Sequence, residues 1–194
     1  MNTIIYMVRH AESSYAEGNE RTRGLTSKGS LDAEMITSML RDEGIDRIIS
    51  SPYARAVLTL EGLAKELGVE IKTDEDFRER HYSDDFISDE YFMPALKKSF
   101  EDPDFALPGG ESSTVCQKRS VSVLKKILDE CKGQKIVIGS HGNVMTLMMN
   151  YFDSRYEFDF MNQTTKPDVY KLQFEGLELQ AVTRLWSEQK DRKA

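Results

Sequence analysis

Two arginines and two histidines stand where reactive groups are readily brought together. Arg9 and His10 close the apolar run "TIIYMV", Arg55 lies in "SSPYAR", and His141 lies in "SHG" at the end of "KIVIGS". Two guanidiniums and two imidazoles in one place repel each other unless an anion sits among them. Guanidiniums grip phosphate oxygens through a two-pronged fork and stay charged at any working pH. A neutral imidazole nitrogen attacks phosphorus, and neighbouring cations keep it unprotonated by lowering its pKa. The four residues read as a cradle for a tetrahedral anion with a nucleophile inside it. Arg9 would hold a phosphoryl group and His10 would take it. Backbone N–H groups of a helix starting near Gly142 would face the same place.

A leaving alkoxide needs a proton. The stretch "DFRERHY" offers Glu79, with Glu75, Asp76, Asp84 and Asp85 as rivals. Beside a phosphate dianion the Glu79 pKa should rise, which makes it an acid near neutral pH and later the base that activates water. The third histidine, His81, reads as a pocket-wall or surface residue, because two nearby arginines would repel a metal cation. Lys97 or Lys98 could meet an acidic group of a substrate.

These residues need a scaffold that delivers three strand ends to one crevice. "TIIYMV" predicts a buried strand over residues 3–9. "LTSKGSLDAEMITSMLRDEG" reads as a helix, capped by Thr26 or Ser27, with a stripe of Leu31, Met35, Met39 and Leu40 and a stop at Gly44. "DRIISS" is a second strand. "PYARAVLTLEGLAKELG" is a second helix with Pro52 near its first turn, a stripe of Ala56, Leu60, Leu63, Ala64 and Leu67, and Gly68 at its end. "EIKT" is a third strand and "DEYFMPALKKSF" a short helix. A long helix runs from "SSTVCQKR" to Gly133. "KIVIGS" reads as a strand buried on both faces, followed by the helix "GNVMTLMMNYF", whose methionines fill the core. "DVYKLQFEG" and "LELQAVTRLW" read as two strands joined by a tight turn. This alternation predicts an α/β three-layer sandwich, with a mainly parallel central sheet flanked by helices and an antiparallel edge strand or hairpin near the C-terminus. In such sheets ligands bind beyond the carboxyl ends of the strands.

The 194 residues suffice for one domain, 1–194, in which residues 83–108 form a lid or specificity insert. Hydrophobic content of 39% and charged content of 30% fit an ordinary globular chain. A net charge of −7 argues against a nucleic-acid-binding face. No apolar run approaches the roughly 20 residues that span a bilayer, and the first residues lack the pattern of a secretory signal. Cys116 and Cys131 fall in one predicted helix, fifteen positions apart. They would lie more than ~20 Å apart there, too far to pair. That fits a cytoplasmic location. The terminal "SEQKDRKA" reads as a frayed polar tail.

Arg9-His10, "LTSKG", "SSPYARAVLT", "GGES" and "SHG" occur in the order seen in the histidine phosphatase, or phosphoglycerate mutase-like, superfamily. The chain resembles it from Met7 to the helix after Gly142. The resemblance implies a phosphohistidine on His10, phosphate clamping by Arg9, Arg55 and His141, proton donation by Glu79, and no metal or other cofactor. Ser13 and Gly142 join the phosphate contacts, and Glu111 and Ser112 of "GES" have a supporting role. The chain departs from the pattern at Ala11, where the family has glycine. A negative φ at Ala11 would keep the loop intact. The loop after Glu12 also lacks the Trp-Asn pair of the mutase branch.

The expectation is a metal-independent phosphomonoester hydrolase acting on a small phosphorylated metabolite, without nucleic-acid or membrane partners. A mutase that returns the phosphoryl group to another hydroxyl is the alternative, supported by "ERHY" at residues 79–82. A phospho-ligand binding module without turnover is the third reading. The acidity and aromatics of the insert and its approach (Tyr82, Phe86, Tyr91, Phe92) point to selection against highly anionic substrates, or for ones with an apolar or cationic part.

Overall fold

The computed structural model describes residues 2–187. Residues 188–194, most of the expected polar tail, lie outside the described residues.

The first strand, β1 (Asn2–Arg9), is apolar on both faces because both are covered. Ile5 and Met7 point to one side, Tyr6 and Val8 to the other. The later strands are β2 (Arg47–Ser50), β3 (Ile71–Thr73), β4 (Lys135–Ser140), β5 (Asp168–Glu175) and β6 (Glu178–Arg184). They form one sheet in the order β3-β2-β4-β1-β5-β6. The pairs β1·β4, β2·β4 and β2·β3 are parallel, whereas β1·β5 and β5·β6 are antiparallel. The predicted sandwich and C-terminal hairpin are therefore present.

Helices α1 (Ser27–Leu40) and α2 (Ala54–Leu67) cover one face, burying Ile36, Leu40, Leu60 and Leu63 against Tyr6, Val8, Ile48 and Val137. Helices α4 (Ser113–Glu130) and α5 (Gly142–Phe152) cover the other, packing Leu124, Leu128, Met145 and Met148 against Ile5, Met7, Ile136 and Ile138. Between the two pairs in sequence runs α3 (Asp89–Glu101), and a short α6 (Phe158–Gln163) follows α5.

Thr26 caps α1, its Oγ1 accepting from Gly29 N at 3.0 Å. The predicted α1 stripe needs correction. Leu31 is 62% exposed, and the inward face runs through Ile36 and Leu40. Five residues separate Leu31 from Ile36, a turn of roughly 140° around a helix. The helix also stops at Leu40, before Gly44, whose φ of +71° serves the turn into β2. Helix α2 ends as expected on Gly68, at φ +66°. Pro52, however, precedes its N-cap, Tyr53. Helix α4 ends at Glu130 rather than at Gly133, so Cys131 lies one residue past it; both cysteines are buried and unpaired. Helix α6 was not anticipated, because six residues are too few for a periodic stripe to register. Among the described residues no helix is long and apolar enough to cross a membrane.

The register sets the functional edge. Arg9 stands opposite Ser140, and Ser50 opposite Gly139, so β1, β2 and β4 end level with one another. Strand β5 runs the other way and begins at the same edge, with Asp168 opposite Arg9.

Candidate active site

The residue after each of the three strand ends turns into one buried centre: His10, Ser51 and His141. Backbone bonds fix the first two. His10 N donates to Ser140 O at 3.0 Å, and Ser51 N donates to Gly139 O at 2.8 Å. His141 is the N-cap of α5 but spends no side-chain bond on capping, which leaves its imidazole to the site.

His10 is 4% exposed and its ring lies 5.2 Å from that of His141. Its Nδ1 lies 2.7 Å from Ala11 O. A carbonyl only accepts, so Nδ1 carries the proton and Nε2 keeps a lone pair. The Nε–H of Arg55 donates to that Nε2 at 3.2 Å. Burial and the Arg55 charge push the His10 pKa well below the ordinary imidazole value. Burial, the neighbouring His10 and Arg55 do the same to His141. His141 Nε2 hydrogen-bonds with Ser51 Oγ at 2.8 Å. Both imidazoles are neutral at neutral pH.

The cations close around them. Arg55 is 1% exposed, reaching the centre from the first turn of α2, with its Nη2 donating to a Glu20 carboxylate oxygen at 3.0 Å. Arg9 donates from Nη1 to the carbonyl of Thr164 at 2.9 Å and also to its hydroxyl. The Arg9 guanidinium packs against Gly142. A Cβ there would come within 2.7 Å of Arg9 Cζ, so a larger residue displaces the guanidinium. Arg9 Nε and His141 Nδ1 are buried without a hydrogen-bond partner among the described residues. An unsatisfied buried polar group costs about 1–3 kcal/mol, a cost that an anion bound among these groups would offset.

Glu79 arrives from β3 through a single 3-10 turn, Glu75–Phe77, pinned by the fully buried Phe77 ring. The Glu79 carboxylate accepts from Arg80 N at 2.9 Å and also from the backbone N–H of Asn143 in α5. It thus shares the start of α5 with His141. Burial raises its pKa above the usual carboxylate value, against the lowering influence of Arg55 and Arg9. The sequence predicts a rise caused by bound phosphate; in the structure burial already supplies it. The rival acids are engaged elsewhere. Glu75 pairs with Arg21, Asp76 with Arg78 and Asp84 with His81, while Asp85 is exposed. His81 is half-exposed, as expected of a surface residue. Lys97 pairs with Glu101, and Lys98 lies over the Phe105 ring.

Ser13 lies at the edge of this centre, and its hydroxyl accepts from Arg23 Nη1. Ala11, fully buried, donates its N–H to Thr59 Oγ1 at 2.9 Å. Glu111 receives a two-pronged contact from Arg119, and Ser112 caps α4 by accepting from Val115 N. Neither lies among the phosphate-cradle groups.

Three further side chains belong to the centre. Arg23, 6% exposed, adds a third guanidinium whose charge lowers the pKa of both Arg55 and His141. The pair of arginines in "RTRG" is the signal that could have found it. Thr164 fixes Arg9 from 155 positions away, and nothing in the sequence marks it. Tyr82 follows Glu79 by three residues and feels its charge, and burial and that charge push its phenol well above the ordinary value.

Comparison with known proteins places the chain in a family. Residues 5–184 match the model of the histidine phosphatase superfamily (branch 1). A phosphoglycerate mutase-like protein 4 of Arabidopsis thaliana is 31% identical over 155 residues, spanning 73% of this chain and 67% of that one. A mycobacterial glucosyl-3-phosphoglycerate phosphatase has the same fold, with a TM-score of 0.75 at 18% identity over 89% of this chain and 91% of its own. So has a phosphoserine phosphatase of Entamoeba histolytica, solved as a mutant with phosphoserine, with a TM-score of 0.75 at 18% identity over 95% of each chain. The ordered motifs, the sheet and the family match together establish that the chain belongs to the histidine phosphatase superfamily, branch 1.

Proposed function

We propose that the chain is a phosphomonoester hydrolase that works through a phosphohistidine on Nε2 of His10, with a small phosphorylated metabolite as substrate. The observation that carries the reading is the His10 ring. Its Nδ1–H is committed to Ala11 O, and its unprotonated Nε2 faces Arg55. In the proposed reaction a phosphate oxygen takes over the Arg55 N–H, with Arg9, Arg55, Arg23 and His141 sharing the remaining charge. Nε2 then bonds to phosphorus while the ester P–O bond breaks, and Glu79 gives its proton to the leaving oxygen. Water attacks next, Glu79 takes its proton, the N–P bond breaks and phosphate leaves. Positioning and charge stabilisation do most of the work.

No step calls on a metal, and the proposed reaction survives chelation. The test is hydrolysis of p-nitrophenyl phosphate in EDTA by wild type and by His10→Ala. Turnover by the wild type alone supports the reading, and equal turnover by both overturns it. Absence of turnover by either favours a binding module.

A mutase is the second reading, favoured by the name of the Arabidopsis relative and by "ERHY". Priming by 2,3-bisphosphoglycerate, rather than its simple hydrolysis, would select it. Residues 83–108 are the proposed specificity wall. A cavity of about 630 Å³ there is lined by Phe86, Tyr91, Pro94, Leu107 and Lys98 among others, and suits a leaving group with an apolar part. A substrate panel led by sugar bisphosphates would overturn that assignment. The two unpaired buried cysteines support a reducing compartment, and the cytoplasm is the proposed location.

A further inference from the structure

The stretch that carries Glu79 has no regular structure of its own beyond the 3-10 turn before it. Its hold comes from hydrogen bonds to the groups around it. Arg119, on α4 and only 9% exposed, grips Glu111 with Nε at 2.6 Å and Nη2 at 2.8 Å. Its remaining amino group does not serve its own helix. Nη1 donates to Asp76 O at 2.5 Å and to Arg78 O at 3.1 Å, the second being the residue just before Glu79. On the other side of Glu79, Glu111 N donates to His81 O at 2.7 Å. Arg80 donates from Nε to Glu111 O at 2.7 Å and from Nη1 to the hydroxyls of Ser99 and Ser113, at 2.7 and 2.9 Å. The backbone on both sides of Glu79 is thus tied to one buried ion pair. A pair that served only α4 would leave those carbonyls to other partners.

We propose that Arg119, through Glu111 and the carbonyls of Asp76 and Arg78, is the positioning residue that aims the Glu79 carboxyl at the leaving oxygen. This rests on the hydrolase reading above, in which Glu79 is the proton donor. Arg119 touches no substrate. A mispositioned acid harms the ester whose leaving group needs a proton and spares the one whose leaving group does not. A general loss of fold harms both alike.

The test compares kcat/KM for benzyl phosphate, with a strongly basic leaving group, and p-nitrophenyl phosphate, with a weakly basic one. Wild type, Glu79→Gln, Arg119→Gln and Arg119→Lys are measured as full-length chains, each first checked by thermal melting. Arg119→Lys keeps the buried charge and loses the two-carbonyl fork, so it carries the test should the glutamine variant not fold. The expected result is a fall of about 30-fold or more on benzyl phosphate and about threefold or less on p-nitrophenyl phosphate for the Arg119 variants. The same pattern, larger, is expected for Glu79→Gln. Equal losses on both esters, or none, overturn the positioning role while leaving the hydrolase reading intact. No turnover of either ester by the wild type overturns the hydrolase reading and the proposal with it.

Discussion

Around His10 the backbone does the holding. Arg9 is paired on one side with Ser140 and on the other with Asp168, His10 N bonds to Ser140 O, and His141 follows the last residue of a strand buried from Ile136 to Ser140. Around Glu79 there is no ladder. Its segment hangs from Phe77 in the core and from the Arg119, Glu111 and Arg80 contacts. The proposed nucleophile and anion clamp therefore inherit the rigidity of the sheet, whereas the proposed acid depends on a side-chain network that single substitutions can loosen. That division matches what each group must do in the proposed reaction. A nucleophile has one fixed line of attack. A proton donor must meet leaving groups of different shape, next to an insert that differs in character from the core.

Four substitutions or conditions probe this contrast, from the largest expected effect down. Arg55→Ala removes the guanidinium that contacts both His10 and Glu20, and kcat/KM for any phosphate ester should fall about 10²–10³-fold. An unchanged rate would mean that the clamp does not act on the phosphoryl group. Glu79→Gln should lower turnover of alkyl phosphates about 10²-fold and abolish the decline of rate at high pH. Glu79 must be protonated to act, and its raised pKa sets that alkaline limb. A profile with the limb still present would assign the acid elsewhere. Gly142→Ala pushes a methyl group into the Arg9 guanidinium, and about a tenfold loss is expected, read as a higher KM. Full activity would show that Arg9 moves aside without consequence.

The smallest effect is on stability. The native pKa values of His10 and His141 lie well below those of the unfolded chain. As pH falls below about 6.5 the unfolded chain takes up protons that the native centre refuses, and stability declines. The slope is at most ~1.4 kcal/mol per pH unit for each histidine. Glu79, raised in the native state, acts in the opposite sense: its contribution is present at low pH and is lost as pH rises through its native value. Urea melts at pH 7 and pH 5.5 should show a smaller loss for His10→Asn than for wild type. Equal losses would mean that His10 takes up its proton as readily in the folded protein as in the unfolded chain.

The sheet and the strand-end cluster were legible because their signals are local. "TIIYMV" and "KIVIGS" are continuous apolar runs, and Arg9, His10 and His141 sit at or just past their ends. A strand delivers its last residue to a predictable edge, so three runs predict one crevice. Leu31 was misassigned because α1 offers two overlapping apolar rows, and only packing against Tyr6 and Val8 selects the one through Ile36. Arg23 and Thr164 join the centre from loops, where no periodicity tells which way a side chain turns. Arg119 was invisible for another reason. An arginine on a long charged helix reads as solvated, and its four hydrogen bonds become evident only once Glu111 and the carbonyls of Asp76 and Arg78 are brought beside it.

The central claim is that His10 Nε2 takes the phosphoryl group. Rapid quenching of the wild type with a phosphorus-labelled ester, followed by peptide mapping, tests it directly. The expected label is stable to base, lost in acid and located on His10, and it is absent from His10→Ala. Label on another residue, or steady turnover without any labelled protein under conditions that trap phosphohistidine, would contradict it.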